Sequence, residues 1–130
     1  MNPKKNSTTA PYSRAEPRPE ESHEPIPHLG GSLARIESDL GNPTRLGIVA
    51  SLKNRDRAEF KLLRDSLGVS DSVLSRHISA LEKAGMIEVR KGYVGKRPRT
   101  WVAITPDGGA RLDAHVQALR ELAGGGADQQ

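Results

Sequence analysis

The sequence predicts a mainly α-helical domain with one small β-hairpin: three helices, then the hairpin, then a last helix. Three observations lead there. Apolar residues recur at helical spacing around 46–52, 60–67, 74–81 and 112–123. Proline, glycine and capping residues stand where those segments start and stop. Between the third and fourth segments, two strand-like runs at 86–91 and 100–104 flank Gly92-Tyr93-Val94-Gly95-Lys96-Arg97-Pro98-Arg99, which reads as a long, strongly basic hairpin loop.

Residues 1–30 hold six of the nine prolines and show no hydrophobic period. Such a stretch cannot bury enough surface to offset chain entropy, so a disordered tail is expected. A flexible tail is likewise expected from 124 to 130, opened by Gly124-Gly125-Gly126. The remaining 93 residues, 31–123, suit one domain of modest core. The core must be mostly aliphatic, because the chain has only four aromatic residues: Tyr12, Phe60, Tyr93 and Trp101.

Residues 33–40 suggest a short amphipathic turn ending at Gly41. Asn42-Pro43 then starts the first helix with a capping amide and a proline at its first position. Leu46, Val49 and Leu52 form its apolar stripe, and it should stop near Asn54. A very short strand at Ala58 precedes a second helix over 59–67, with Phe60, Leu63 and Leu67 inward. Leu67-Gly68-Val69-Ser70 reads as helix, tight turn, helix: Gly68 closes one and Ser70 caps the next, whose first residue is Asp71. Gly85 ends that third helix with a left-handed cap. Thr105-Pro106 starts the last helix, with Leu112, Val116, Leu119 and Ala123 in phase; Gly108 and Gly109 weaken its first turn.

Several functions drop out. With no cysteine there is no disulfide framework, thiolate metal site or thiol nucleophile. The longest apolar stretch, 46–52, is far short of the roughly 20 residues of a membrane helix. No apolar run follows Met1-Asn2-Pro3-Lys4-Lys5, so a cytoplasmic chain without membrane contact is expected. His23-Glu24 with His28 is one residue too long for a helical zinc motif, and Pro25 and Pro27 break the helix it needs. His115 looks isolated on the last helix. No phosphate-binding glycine loop, nucleophile elbow or catalytic constellation is present, so neither an enzyme nor a cofactor or metal is expected.

Charge points elsewhere. The net charge is +4, and residues 91–99 alone carry +4 through Lys91, Lys96, Arg97 and Arg99, with no acid among them. A local basic cluster of this kind fits a polyanion. On the third helix, Leu74, Ile78 and Leu81 cluster within about 60°. Ser72, Arg76, Ser79 and Lys83 lie opposite, with Ser75 flanking them. Short hydroxyl side chains let a helix approach closely, and arginine can grip a guanine edge or a phosphate with two donors. Alone, this face reads first as ordinary solvated surface; beside the acid-free hairpin it reads as a nucleic-acid contact. His77, next to the apolar arc, reads as a partly buried structural histidine. Tyr93 and Trp101 read as the packing base of the hairpin rather than stacking platforms for bases.

Four segments then act together: Asn42-Pro43-Thr44-Arg45-Leu46; Ser75-Arg76-His77-Ile78 through Leu81-Glu82-Lys83-Ala84-Gly85; Gly95-Lys96-Arg97-Pro98-Arg99-Thr100; and Ile104-Thr105-Pro106-Asp107-Gly108. Through them, about 60% of the chain, residues 42–122, resembles the winged-helix DNA-binding domain of MarR/ArsR-type bacterial transcriptional regulators. The resemblance implies a winged helix-turn-helix: a three-helix core, a wing and a C-terminal helix. It implies a recognition helix at about 70–84 in the major groove of double-stranded DNA, with Ser70, Ser72, Ser75, Arg76, Ser79 and Lys83 as contacts. The wing, 91–100, would place Lys91, Lys96, Arg97 and Arg99 on the backbone or in the minor groove. Without cysteines, the metal-sensing chemistry of many ArsR-type proteins does not carry over. A homodimer is expected through Leu112, Val116, Leu119 and Leu122, with help from 33–40. The rival reading is a winged helix used as a protein-interaction module, which an acidic or neutral wing would have marked.

Overall fold

The computed structural model describes Ile26 and residues 29–124. Of the expected tails, 1–30 and 124–130, residues 1–25, 27–28 and 125–130, with Tyr12, His23 and His28, lie outside the described residues. A helix α1 (Leu29–Ala34) and a short 3-10 helix (Ser38–Leu40) come first. They replace the amphipathic turn expected over 33–40, and the helix begins two residues ahead of the domain boundary placed at 31. Leu33 is exposed, whereas Ser32 and Leu40 are buried.

Helix α2 (Pro43–Leu52) starts as its sequence dictates. The Asn42 side chain accepts from the backbone N–H of Thr44 (2.8 Å) and Arg45 (3.1 Å), a cap worth about 1 kcal/mol. Ile48, Val49 and Leu52 are fully buried, and Leu46 is half-buried against the same core. Asn54, left-handed at φ 73°, turns the chain toward β1 (Ala58–Glu59).

Helix α3 (Phe60–Leu67) buries Leu63 and packs Phe60 and Leu67 against the core. Gly68, at φ 68°, returns its N–H to the Arg64 carbonyl. Ser70 then caps α4 (Asp71–Lys83), its Oγ accepting from Val73 N–H at 3.2 Å. Leu74, Ile78 and Leu81 are the buried residues of α4, the three that the helical projection picks out.

The hairpin differs from expectation. Strands β2 (Ile87–Val94) and β3 (Arg97–Ile104) are each eight residues long and joined at Gly95-Lys96, with Gly95 at φ 64°. The expected long loop is therefore mostly strand. A residue with positive φ completes a tight turn, and once the turn is tight the flanking residues are in register to pair. Pro98 fits because the third strand stops short: β1 meets β3 only at Val102 and Trp101. The antiparallel order is β1-β3-β2, with Val89 and Ala58 on either side of the fully buried Val102.

Helix α5 (Pro106–Leu122) is locked to the end of α4. Thr105 donates its N–H to the Met86 carbonyl (3.0 Å) and its hydroxyl to the Gly85 carbonyl (2.7 Å). Gly108 lies so close that a Cβ would stand 2.1 Å from the Met86 carbonyl oxygen. The glycine expected to weaken the helix start is what lets it dock.

Candidate nucleic-acid interface

Ser72, Ser75, Arg76, Ser79 and Lys83 are all exposed on α4, on the face opposite Leu74, Ile78 and Leu81. Ser70 is exposed too, but its hydroxyl is already engaged as the helix cap and lies 3.3 Å from the Ser72 hydroxyl. The acids of the helix, Asp71 and Glu82, sit on one flank of this face. Asp71 is drawn back by Arg64, which donates to it at 2.8 Å and to Asp65 at 3.0 Å. These two carboxylates, Asp71 first, hold the Arg64 guanidinium more firmly protonated than usual. Among the described residues no carboxylate pairs with Arg76 or Lys83.

On the other flank His77 is half-buried, as expected of a structural histidine. Its Nδ1 accepts a hydrogen bond from Arg45 Nε on α2 at 3.1 Å. Burial, then Arg45, then Arg76 push the imidazole's pKa below its usual value.

Alternation along the paired strands splits the wing into two faces. The core face of β2 and β3 continues outward as Lys91 opposite Thr100, then Tyr93 opposite Pro98. The other face carries Arg90 opposite Trp101, Gly92 opposite Arg99, and Val94 opposite Arg97. Lys91, Lys96 and Arg97 are exposed, and no carboxylate among the described residues pairs with them. Arg99 is different. Its Nε lies 2.8 Å from Glu59 Oε2, and both side chains are half-buried. The stretch 91–99 holds no acid of its own, yet β1 brings Glu59 to Arg99, a partner that adjacency in sequence does not show.

Other contacts escaped the sequence reading. The Arg57 guanidinium stacks over the Trp101 ring at 4.0 Å. His115, expected to stand isolated, is buried, and its Nδ1 accepts from the backbone N–H of Glu37 at 2.9 Å. Both partners lie far from these rings in sequence or outside any helix period that includes them, so no spacing rule finds them.

Comparison with known proteins agrees with this geometry. A family model described as a winged helix DNA-binding domain matches residues 44–123. The structure of a transcriptional regulator homologue from Pyrococcus horikoshii is 31% identical, with a TM-score of 0.67 over 77% of this chain and 97% of that one. An uncharacterized protein of Methanocaldococcus jannaschii is 28% identical over 60% of this chain and 85% of its own length. A transcriptional regulator of M. tuberculosis, solved in complex with DNA, shares the fold at a TM-score of 0.55 and 17% identity, over 72% of this chain and 67% of that one. The resemblance to winged-helix regulators is thereby borne out, and the chain belongs to the winged-helix DNA-binding domain family.

Proposed function

We propose that the chain is a sequence-specific regulator of transcription that binds double-stranded DNA as a cytoplasmic homodimer. Helix α4 with its caps, about 70–84, enters the major groove, and the wing at 91–100 lies on the backbone or in the minor groove. The observation that carries this reading is the outer face of α4. Arg76 and Lys83 project between three serines, without partner carboxylates among the described residues. That combination lets the helix approach closely and leaves a bidentate donor free to read a base edge. The exposed cations of the wing supply sequence-independent attraction.

The dimer is supported by apolar side chains left uncovered on α1 and α5. Leu29, Leu33, Leu119 and Leu122 are exposed, although Leu112 and Ala118 of α5 are buried in the chain's own core. Ser32 Oγ donates to Glu121 Oε1 at 2.7 Å, which ties the two helices together.

Selection of bound fragments from random duplex DNA, followed by Arg76→Ala on the selected site, tests the reading. A base-reading arginine should cost about 1–3 kcal/mol on that site and much less on random duplex. Equal losses on both would reduce Arg76 to a phosphate contact. A pool without enrichment would end the claim of sequence specificity.

A further inference from the structure

The flank of α4 that turns toward α2 carries an arrangement the groove-reading face does not use. His77 accepts from Arg45 Nε through Nδ1 at 3.1 Å, so in its neutral form the imidazole carries its proton on Nε2. Among the described residues, no hydrogen bond uses that Nε2–H. Arg76, the preceding residue of the helix, is exposed, and the Arg45 side chain is about a quarter exposed. Arg45 and His77, from two helices, thus meet where the edge of α4 reaches solvent.

Charges reach the surroundings of His77 from several elements. From α2 comes Arg45, and from α4 itself comes Arg76. Behind Arg45, the 3-10 helix presents Asp39, whose Oδ1 is 3.7 Å from Arg45 Nη1. Asp39 is shared with Arg111 of α5, at 3.6 Å. Arg111 is held chiefly by Glu37 and Asp107, so Asp39 mainly offsets Arg45. Arg76, which pairs with no carboxylate among the described residues, keeps the local balance positive. An anion is the missing partner.

We propose that Arg45 and His77 form a phosphate-binding site on the α2 side of α4, and that seating a DNA phosphate there adds a proton to His77. The inference rests on the DNA-binding reading given above. In the free protein, burial and then the charges of Arg45 and Arg76 hold the imidazole's pKa below its usual value, which favours the neutral ring. A phosphate beside those cations cancels their repulsion and accepts a hydrogen bond from the ring. Protonation at Nδ1 ends acceptance from Arg45, whose Nε–H then turns to the phosphate. One proton enters, one hydrogen bond within the protein is lost, and charge-assisted bonds to the anion replace it.

Two measurements on the full chain test this, with a fluorescein-labelled mixed-sequence duplex three helical turns long as the probe. At constant ionic strength, affinity should rise as pH falls from about 8 toward 6, by up to about tenfold per pH unit between the free and bound pKa of His77. His77→Gln should bind with no such rise. NMR titration of the wild-type imidazole protons, with the His77 signals assigned from the variant's spectrum, should show a higher pKa on the duplex than off it. Arg45→Gln should flatten the dependence of log affinity on log salt by about 0.9.

Wild-type affinity that is flat over this pH range, or an unchanged pH response in His77→Gln, overturns the site while leaving DNA binding intact. The NMR titration decides the matter if the variant folds poorly, and an unshifted His77 pKa overturns the site there. Failure to bind any duplex at low salt and neutral pH overturns the DNA-binding reading and this one with it.

Discussion

Arg111 and Glu37 meet in a two-point ion pair, Nε to Oε1 at 2.9 Å and Nη2 to Oε2 at 2.6 Å. The same guanidinium donates Nη1 to the Ala84 carbonyl at 2.8 Å and to Asp107 at 3.1 Å. One side chain of α5 thus joins the segment before the 3-10 helix to the last carbonyls of α4. The Arg111 hydrogen bond, with its charge, holds the Glu37 carboxyl below its usual pKa, and the carboxylates in turn keep Arg111 protonated. Arg111→Ala should lower unfolding free energy by about 2 kcal/mol, since it leaves Glu37 and the Ala84 carbonyl without their partner. Urea denaturation measures it; a loss within error of zero would show that water replaces the guanidinium freely.

Acid should weaken the same region. Glu37 is held low by Arg111, and the Glu121 carboxyl is lowered to about 2, chiefly by hydrogen bonds from Arg35 and then Ser32. A carboxyl whose folded pKa is depressed contributes stability above its unfolded value, near 4.5 here, and loses it as pH falls through the folded value. Wild-type stability should therefore decline from about pH 4.5 toward 2, and Glu121→Gln should show a shallower decline over that window. Parallel curves for the two proteins would contradict the assignment.

Gly108→Ala should be among the most damaging single methyl additions. The new Cβ would sit 2.1 Å from a backbone oxygen, which cannot rotate away as a side chain could. Overpacking of this kind costs about 1–3 kcal/mol or more, against a small gain in helix propensity. Gly109→Ala, with no atom within 4 Å of its Cβ, is the control and should be neutral or stabilising. Equal melting temperatures for the two variants would mean that α5 shifts without penalty.

The wing cations should separate into two kinds. Lys96→Ala and Arg97→Ala should each flatten the salt dependence of DNA affinity by about 0.9 in log–log slope, with little change in thermal stability. Arg99→Ala leaves Glu59 unpaired in a half-buried setting, so it should lower stability while changing the salt slope less. The reverse pattern would place Arg99, not the tip, on the phosphates.

The apolar residues left open on α1 and α5 give an oligomer prediction. Replacing Leu33 and Leu119 by glutamate should convert a dimer to monomer in sedimentation velocity, because both side chains are exposed in the single chain. A wild-type monomer, both free and on DNA, would remove the dimer from the proposal.

Helix ends were legible wherever a cap is local. Asn42-Pro43, Gly68, Ser70 and Gly85 each act within four residues, so their chemistry can be read in order along the chain. The buried trio of α4 followed from period alone. Pairing across distance was not legible. Glu59 reaches Arg99, and Glu37 reaches both Arg111 and the buried His115, only after the fold is formed. The strands outran expectation for a related reason. Basic and glycine-rich residues suggested loop, yet a tight turn at Gly95-Lys96 lets them pair across the hairpin.

That turn restricts how the wing can vary in length. Each residue of β2 faces a fixed partner in β3, and neighbours along a strand point to opposite faces. Deleting one residue between Arg99 and Val102 would exchange the side that Arg97 presents with that of Pro98, and would strand Arg99 away from Glu59. Additions within the paired strands are therefore compatible only as matched pairs, one on each side, or as a bulge that absorbs the odd residue. At the bend, by contrast, extra residues would enlarge the loop and leave every partner below it in place. Natural or engineered variation in wing length should concentrate at Gly95 and Lys96.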